Sequence, residues 1–233
     1  MLAAALLAAA LAVPADLGEA DRLYLHRHQG SNLESALSLL EGRLSAAPDD
    51  AGTRWRLCRA LVRLGERRQG RTERRALFEK ARAHAERALE LDEKCAEAHY
   101  WWGVAAGRVG QERGMLRSLF LVGPIKASMR RALELDPSMG PAHMVLGEIL
   151  RQLPGFAGGS NKGAAAELEA AVKASPNYTA AYPSLAEAYL ALGEKEKARG
   201  ALRAALEVGE PEDPGEHDEN LADARRLLAE LDR

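Results

Sequence analysis

Residues 176–207 read PNYTAAYPSLAEAYLALGEKEKARGALRAALE and contain two helical patterns separated by a glycine. The patterns are Tyr182-x2-Leu185-Ala186-x2-Tyr189 and Ala198-x3-Leu202-x2-Ala205. Spacings of three and four residues place each set on one face of a helix. Gly193 lies between the patterns, where a left-handed backbone conformation is needed to reverse the chain. The stretch therefore predicts two antiparallel helices that pack closely through small side chains.

The same unit recurs upstream with the same order of large and small residues. The first-helix copies are His143-x2-Leu146-Gly147, His99-x2-Trp102-Gly103 and Arg54-x2-Leu57-Cys58. A degenerate copy precedes them, as expected for a terminal repeat that has only one neighbour. An amphipathic stretch follows the last copy. We therefore predict an all-α, right-handed α-solenoid of about five helix pairs with a C-terminal capping helix.

This pattern resembles the tetratricopeptide repeat (TPR), in which a large residue, Leu-Gly/Ala and an aromatic line the first helix. The resemblance implies the following units: a leader at 1–15, repeats at 16–50, 51–95, 96–139, 140–178 and 179–209, and an acidic linker with the capping helix at 210–233.

Three successive repeats carry insertions between their two helices. They are a basic stretch at 65–76, an apolar stretch at 107–124 and a Pro- and Gly-rich stretch at 153–163. Because each insertion replaces the same turn, we expect all three on one edge of the solenoid. If the apolar run at 116–122 is exposed there, a peripheral membrane role becomes an alternative.

The insertions, together with three short motifs, give a second resemblance that covers residues 96–207. The motifs are WWG at 101–103, PGF at 154–156 and GG at 158–159. They are similar to two TPR subgroups: the regulators of microtubule dynamics, and the periplasmic T component associated with TRAP-type transporters. With the leader described next, this resemblance favours the periplasmic relative.

Residues 1–15, MLAAALLAAALAVPA, form an apolar run that ends in small residues before Asp16. This run resembles a secretory signal with an A-x-A type of cleavage site, and it is too short to span a bilayer permanently. We therefore expect a periplasmic or secreted protein with no transmembrane segment after signal removal. Because a basic start is missing, an Ala-rich first helix of a cytoplasmic protein is the alternative.

Composition and motifs argue against several classes of function. A net charge of −2 gives no reason to expect a nucleic-acid partner. Cys58 and Cys95 fit neither a disulfide scaffold nor a zinc site, and His99 and His143 lack a third metal ligand. No catalytic arrangement is evident, so we expect a non-enzymatic protein without metal or cofactor.

The exposed faces of the first helices line the groove in which TPR proteins bind extended peptides. The residues expected there are Trp55, Arg59, Arg63, Tyr100, Arg108, Met144, Glu148, Arg151 and Glu187. Arginines beside aromatic residues suit a carboxylate, and therefore an acidic peptide. We hence predict a protein-interaction scaffold with a protein or peptide partner. The alternative for this face is a solvated surface of Arg–Glu pairs.

A second function hypothesis is a small-ligand-binding accessory subunit of a transporter. It requires an enclosed apolar pocket between the groove and the inserted loops. The candidate residues are Tyr100, Trp102, Phe120 and Phe156. The sequence does not decide between this pocket and an open groove, and it leaves the oligomeric state undetermined.

Overall fold

The computed structural model describes residues 16–233, apart from the side chains of residues 115–118. The described part is helical and contains no strand. Its helices are α1 Leu17–Leu25, α2 Asn32–Ala46, α3 Ala51–Glu66, α4 Arg71–Leu91, α5 Ala96–Arg113, α6 Met115–Leu135, α7 Gly140–Gln152, α8 Asn161–Ala174, α9 Ala181–Ala191, α10 Lys195–Leu206 and α11 His217–Leu231. The expected signal at residues 1–15 lies outside the described residues.

Consecutive helices pack in pairs, and the pairs stack. The pairs are α1 with α2, α3 with α4, α5 with α6, α7 with α8, and α9 with α10. The first helices of neighbouring pairs also touch, as α3 does with α5 and α7 with α9. Helix α11 packs on α9 and α10 and covers the end of the stack. This confirms the predicted all-α solenoid of helix pairs with a capping helix.

The last pair shows why the repeat pattern folds in this way. Ala186 and Ala198 are fully buried, so the backbones of α9 and α10 approach closely. Tyr182 and Leu202 are buried beside them and fill the remaining space. The chain reverses at Gly193, whose φ of 78° lies in the left-handed region that favours glycine.

The first two insertions lengthen helices rather than forming loops. Helices α4 and α6 each have 21 residues, and a single residue, Gly114 with φ of 94°, separates α5 from α6. The lengthened ends lie side by side, because Arg74 Nε is 2.8 Å from Glu112 Oε1 and Arg113 Nη2 is 2.9 Å from Glu79 Oε1. The third insertion differs, since it forms a loop with a short 3₁₀ turn at Gly155–Ala157.

Candidate functional site

The nine residues predicted for the groove lie on the first helices of four successive pairs. Helix α3 carries Trp55, Arg59 and Arg63, α5 carries Tyr100 and Arg108, α7 carries Met144, Glu148 and Arg151, and α9 carries Glu187. Three adjoining depressions are together lined by all nine residues. We call this continuous surface the groove. All four of its predicted arginines have carboxylate partners within the chain.

At the N-terminal end of the groove, the partner is Asp21 of α1. The guanidinium groups of Arg56 and Arg59 both donate to its carboxylate. Burial alone would raise the pKa of Asp21, but these arginines outweigh burial and hold that pKa below its ordinary value. Arg59 also lies over the ring of Tyr24, 3.7 Å from its centroid, in a cation–π arrangement.

In the middle of the groove, Glu66 joins α3 to α5. Arg63 Nη1 lies 2.9 Å from its carboxylate, and Arg108 Nη2 binds the other oxygen. Burial would raise the pKa of Glu66, yet the two arginines hold it below its ordinary value. Further along, Arg151 contacts Glu148 at 2.8 Å and Glu187 at 3.1 Å. The α7–α9 part of the groove is therefore itself a set of Arg–Glu pairs.

A stretch that the sequence analysis treated only as a linker enters the groove. Residues 209–219, which we call the acidic segment, carry six acidic residues and no Lys or Arg. Its Glu216 forms ion pairs with both Arg63 and Arg27. Its Glu212 N–H donates to the carbonyl oxygen of Asn177 at 2.9 Å. The acidic segment therefore crosses the groove and reaches the turn between α1 and α2.

The strongest contact of the acidic segment is one that the sequence did not suggest. Arg27 Nη1 donates to Asp213 Oδ1 at 2.6 Å, and Nη2 donates to Oδ2 at 2.7 Å. The side chain of Arg27 is only 3% exposed, and that of Asp213 is 19% exposed. These two residues are 186 positions apart in the chain. No sequence signal pointed to this pair: the acids at 207–223 stand out, but Arg27 lies outside the basic region at 51–87.

A cavity of about 640 Å³ lies beneath the acidic segment. Its aromatic lining comprises Tyr24, Trp55, Tyr100, Trp101 and Tyr178. Charged side chains line it as well, among them Arg59, Arg63, Glu212 and Asp213. The cavity is thus apolar inside and charged at its rim, which is typical of a site that orients a bound group.

The residues predicted to form a pocket with Tyr100 and the inserted loops do not come together. Phe120 is 83% exposed and Phe156 is 95% exposed, and neither they nor Trp102 line the cavity beside Tyr100. That prediction is wrong, because the second insertion continues as helix and the third forms a loop, and both leave their phenylalanine exposed to solvent. Leu119 and Phe120 are exposed on the inserted edge instead.

Metal ligands and membrane-spanning helices were sought among the described residues. They contain no cluster of three His, Cys, Asp or Glu side chains that could hold a metal ion. His143 Nδ1 instead lies 2.8 Å from Glu167, and His99 Nε2 lies 2.9 Å from a carbonyl oxygen. Among the helices of residues 16–233, none has both the length and the apolar character needed to cross a membrane.

Comparisons with known proteins agree with the repeat architecture. Residues 156–214 match the tetratricopeptide repeat. A TPR protein of Thermus thermophilus has a similar structure, with a TM-score of 0.69 over 91% of this chain and all of that chain. The two sequences are 19% identical, so this likeness shows the fold alone.

The sequence relatives define the family more closely. Regulator of microtubule dynamics protein 3 of Rattus norvegicus is 27% identical over 139 residues, which is 59% of this chain and 29% of that protein. Regulator of microtubule dynamics protein 1 of Pongo abelii is 32% identical over 90 residues, which is 38% of this chain and 29% of that protein. The matched part is hence less than a third of either relative. Because residues 16–151 match the family model itself, the chain belongs to the family of regulator of microtubule dynamics proteins 1-3.

Proposed function

We propose that this protein is a non-catalytic scaffold that binds a segment of a partner protein in its groove. The observation that carries this proposal is the aromatic cavity with a charged rim at the centre of the stacked first helices. The TPR fold supports it as well, since solenoids present such extended surfaces to partners. The relatives are named for regulating microtubule dynamics, but the matched part covers only 29% of each, so their partners are not carried over to this chain.

The groove would hold a partner by two kinds of contact. An apolar side chain of the partner enters the cavity beside Trp55 and Tyr100, and burial of one such side chain stabilises a complex by about 1.5–3 kcal/mol. A carboxylate of the partner meets Arg59 or Arg63 at the rim, where a charge-assisted hydrogen bond contributes about 1.5–3 kcal/mol. The two contacts contribute about equally to the affinity, and the second also fixes the direction of the bound segment.

The test compares two aromatic-to-alanine substitutions, one inside the groove and one outside it. Tyr100→Ala removes a cavity wall, whereas Phe156→Ala removes an aromatic side chain that is 95% exposed and outside the groove. Partners captured from extract of the source cells are identified by mass spectrometry and titrated. We expect the wild type and Phe156→Ala to bind alike and Tyr100→Ala to bind at least about tenfold more weakly. Equal binding by all three would place the interaction outside the groove.

We also propose that the protein acts in the periplasm or is secreted. The support is the apolar run at residues 1–15 with small residues at its end. Fractionation and N-terminal sequencing of the mature protein test this proposal. A mature chain that begins near Asp16 in the periplasmic fraction is the expected result, and an intact Met1 in the cytoplasm would refute it.

A second candidate function is an accessory subunit that delivers a small ligand to a transporter. The volume of the cavity, about 640 Å³, favours it, because ligand sites typically measure about 300–1,000 Å³. Native mass spectrometry of the purified chain separates the two functions. A bound small molecule that Tyr100→Ala loses, in the absence of a protein partner, would support the transporter function.

A further inference from the structure

We propose that the acidic segment is an internal ligand of the groove, and that the natural partner is an acidic peptide which displaces it. That partner would carry two carboxylates three residues apart, in the manner of Asp213 and Glu216. This inference rests on the proposed function, because it names the class of partner that the groove binds.

The pairing of Arg27 with Asp213 is the first reason. Two hydrogen bonds of 2.6 and 2.7 Å join the guanidinium to both oxygens of the carboxylate, which is the bidentate geometry that suits a planar anionic group. Arg27 also donates to the carbonyl oxygen of Tyr24 and lies over the Tyr24 ring, 4.5 Å from its centroid. The arginine is therefore held in place on the N-terminal repeat, and the carboxylate is the part that comes from elsewhere.

The second reason is the position of Glu216. One turn after Asp213, it shares Arg63 with Glu66 and lies 3.5 Å from Arg27 Nη2. Burial raises the pKa of Glu216 although Arg63 lies beside it. Arg63 and Arg27 both face this position, and they would hold a carboxylate that a partner supplies in the same way.

The third reason is the shape of the contact at Gly215. A Cβ atom at this position would overlap Arg27 Nη1 and lie 2.5 Å from its Cζ. The Gly215 N–H donates to Asp213 Oδ1 at 3.0 Å, so the backbone wraps closely around the ion pair. The site thus accepts an acid that is followed closely by a residue without a side chain. This close fit is a property of a binding site rather than of a solvated linker.

The acidic segment borders the cavity as well, because Glu212 and Asp213 are among the residues that line it. A partner whose carboxylates bind Arg27 and Arg63 must displace Asp213 and Glu216 beside this cavity. Because the segment is tethered, its effective concentration is about 1 mM for a short flexible link, and a free peptide competes against that value.

The test measures binding of a free copy of the acidic segment. A fluorescein-labelled peptide with the sequence of residues 209–219, GEPEDPGEHDE, is titrated with the full chain by fluorescence polarisation. Two variants open the groove in different ways: Asp213→Asn/Glu216→Gln removes the competing carboxylates, and Gly215→Ala excludes the segment by its Cβ. The control, Glu207→Gln/Glu210→Gln, removes two exposed acids near the same segment. Circular dichroism confirms folding of each variant.

We expect both opened variants to bind the peptide at least about tenfold more tightly than the wild type, because the tethered competitor no longer occupies the site. The control variant should bind the peptide as weakly as the wild type does. A peptide with Asn in place of Asp213 and Gln in place of Glu216 should not bind the opened variants. Equal binding by wild type and opened variants would overturn the inference. So would an opened variant that forms a dimer which the peptide does not dissociate, because a second copy would then be the occupant.

Failure of this inference is distinguishable from failure of the proposed function. If the opened variants ignore the peptide while Tyr100→Ala still loses a captured partner, the groove binds proteins but not acidic ones of this kind. If the peptide binds the opened groove and Tyr100→Ala captures its partners normally, the acidic segment is an internal ligand of a surface that the partner does not use, and the partner class proposed here is wrong.

Discussion

Replacing Asp213 by asparagine should weaken the whole solenoid rather than only its C-terminal end. The substitution keeps the shape of the side chain but removes its charge from beside Arg27, which is 3% exposed. Breaking one partner of a buried ion pair costs about 3–5 kcal/mol, since the remaining charge is left in a site shielded from water. The asparagine side chain would retain one acceptor oxygen, and Glu216 stays 3.5 Å from Arg27 Nη2. We therefore expect a loss of about 3 kcal/mol, at the lower end of that range.

The substitution should also make unfolding less cooperative. In a solenoid each repeat contacts mainly its neighbours, so the ends unfold separately unless something joins them. The Arg27–Asp213 pair joins the first repeat to the segment before α11. Urea unfolding of Asp213→Asn should become broader, and hydrogen exchange in α1 and α2 should accelerate before exchange in α9 and α10.

A double-mutant cycle isolates the pair. Arg27→Met keeps much of the apolar length of the arginine and removes its charge, so the double variant should be more stable than the sum of the single changes by about 1–3 kcal/mol. The matched control is Glu210→Gln, an exposed acid of the same segment, which should change the free energy of unfolding by no more than about 0.5 kcal/mol. A loss below about 1 kcal/mol for Asp213→Asn, with unchanged exchange in α1 and α2, would refute the reasoning.

Three further predictions concern titration and packing. Two arginines outweigh the burial of Glu66 and hold its pKa below 4.5. Glu66 therefore stabilises the fold above pH 4.5, and this contribution is lost as the pH falls through its folded pKa. In urea titrations at a series of pH values, Glu66→Gln should reduce the loss of free energy of unfolding on acidification. Burial and neighbouring cations lower the pKa of His84 to about 4, so stability should fall as the pH drops from 6.5 towards 4, and His84→Gln should lose less over that window. Gly147→Ala places a Cβ 2.6 Å from Leu168 Cγ and should lower the free energy of unfolding by about 1–2 kcal/mol. Gly200→Ala is the matched control on an exposed helix face; its Cβ would have nothing within 4 Å, so it should raise the free energy of unfolding by about 0.5–1 kcal/mol. Thermal melts in which both changes had the same sign would refute this prediction.

The helix pairs could be predicted from the sequence because every repeat has the same pattern of small and large residues. Alternation of small and large residues at spacings of three and four requires two helices in close contact. Gly193 at the turn, and Ala186 and Ala198 at the interface, each take the conformation or burial that this pattern demands. The placement of Arg59, Arg63 and Arg108 on one surface follows in the same way, since first helices of neighbouring repeats lie side by side.

The conformation of the insertions could not be predicted from the repeat pattern. The sequence marked residues 107–124 as extra, but it did not show whether they form a loop or continue the helices. In the structure, α5 and α6 extend through them and leave Phe120 in solvent. A pocket assigned to Phe120 and Phe156 was therefore wrong, because side-chain position depends on helix length and not on proximity of motifs.

By itself, the sequence determined the helix pairs and their order, because these depend on contacts between near neighbours in the chain. Tertiary structure alone decided that Arg27 meets Asp213, 186 positions away, and that the acidic segment enters the groove. Each repeat adds a small rotation to the solenoid, and only the sum of these rotations brings the two ends within hydrogen-bonding distance. That sum depends on packing along every interface, which no single repeat encodes.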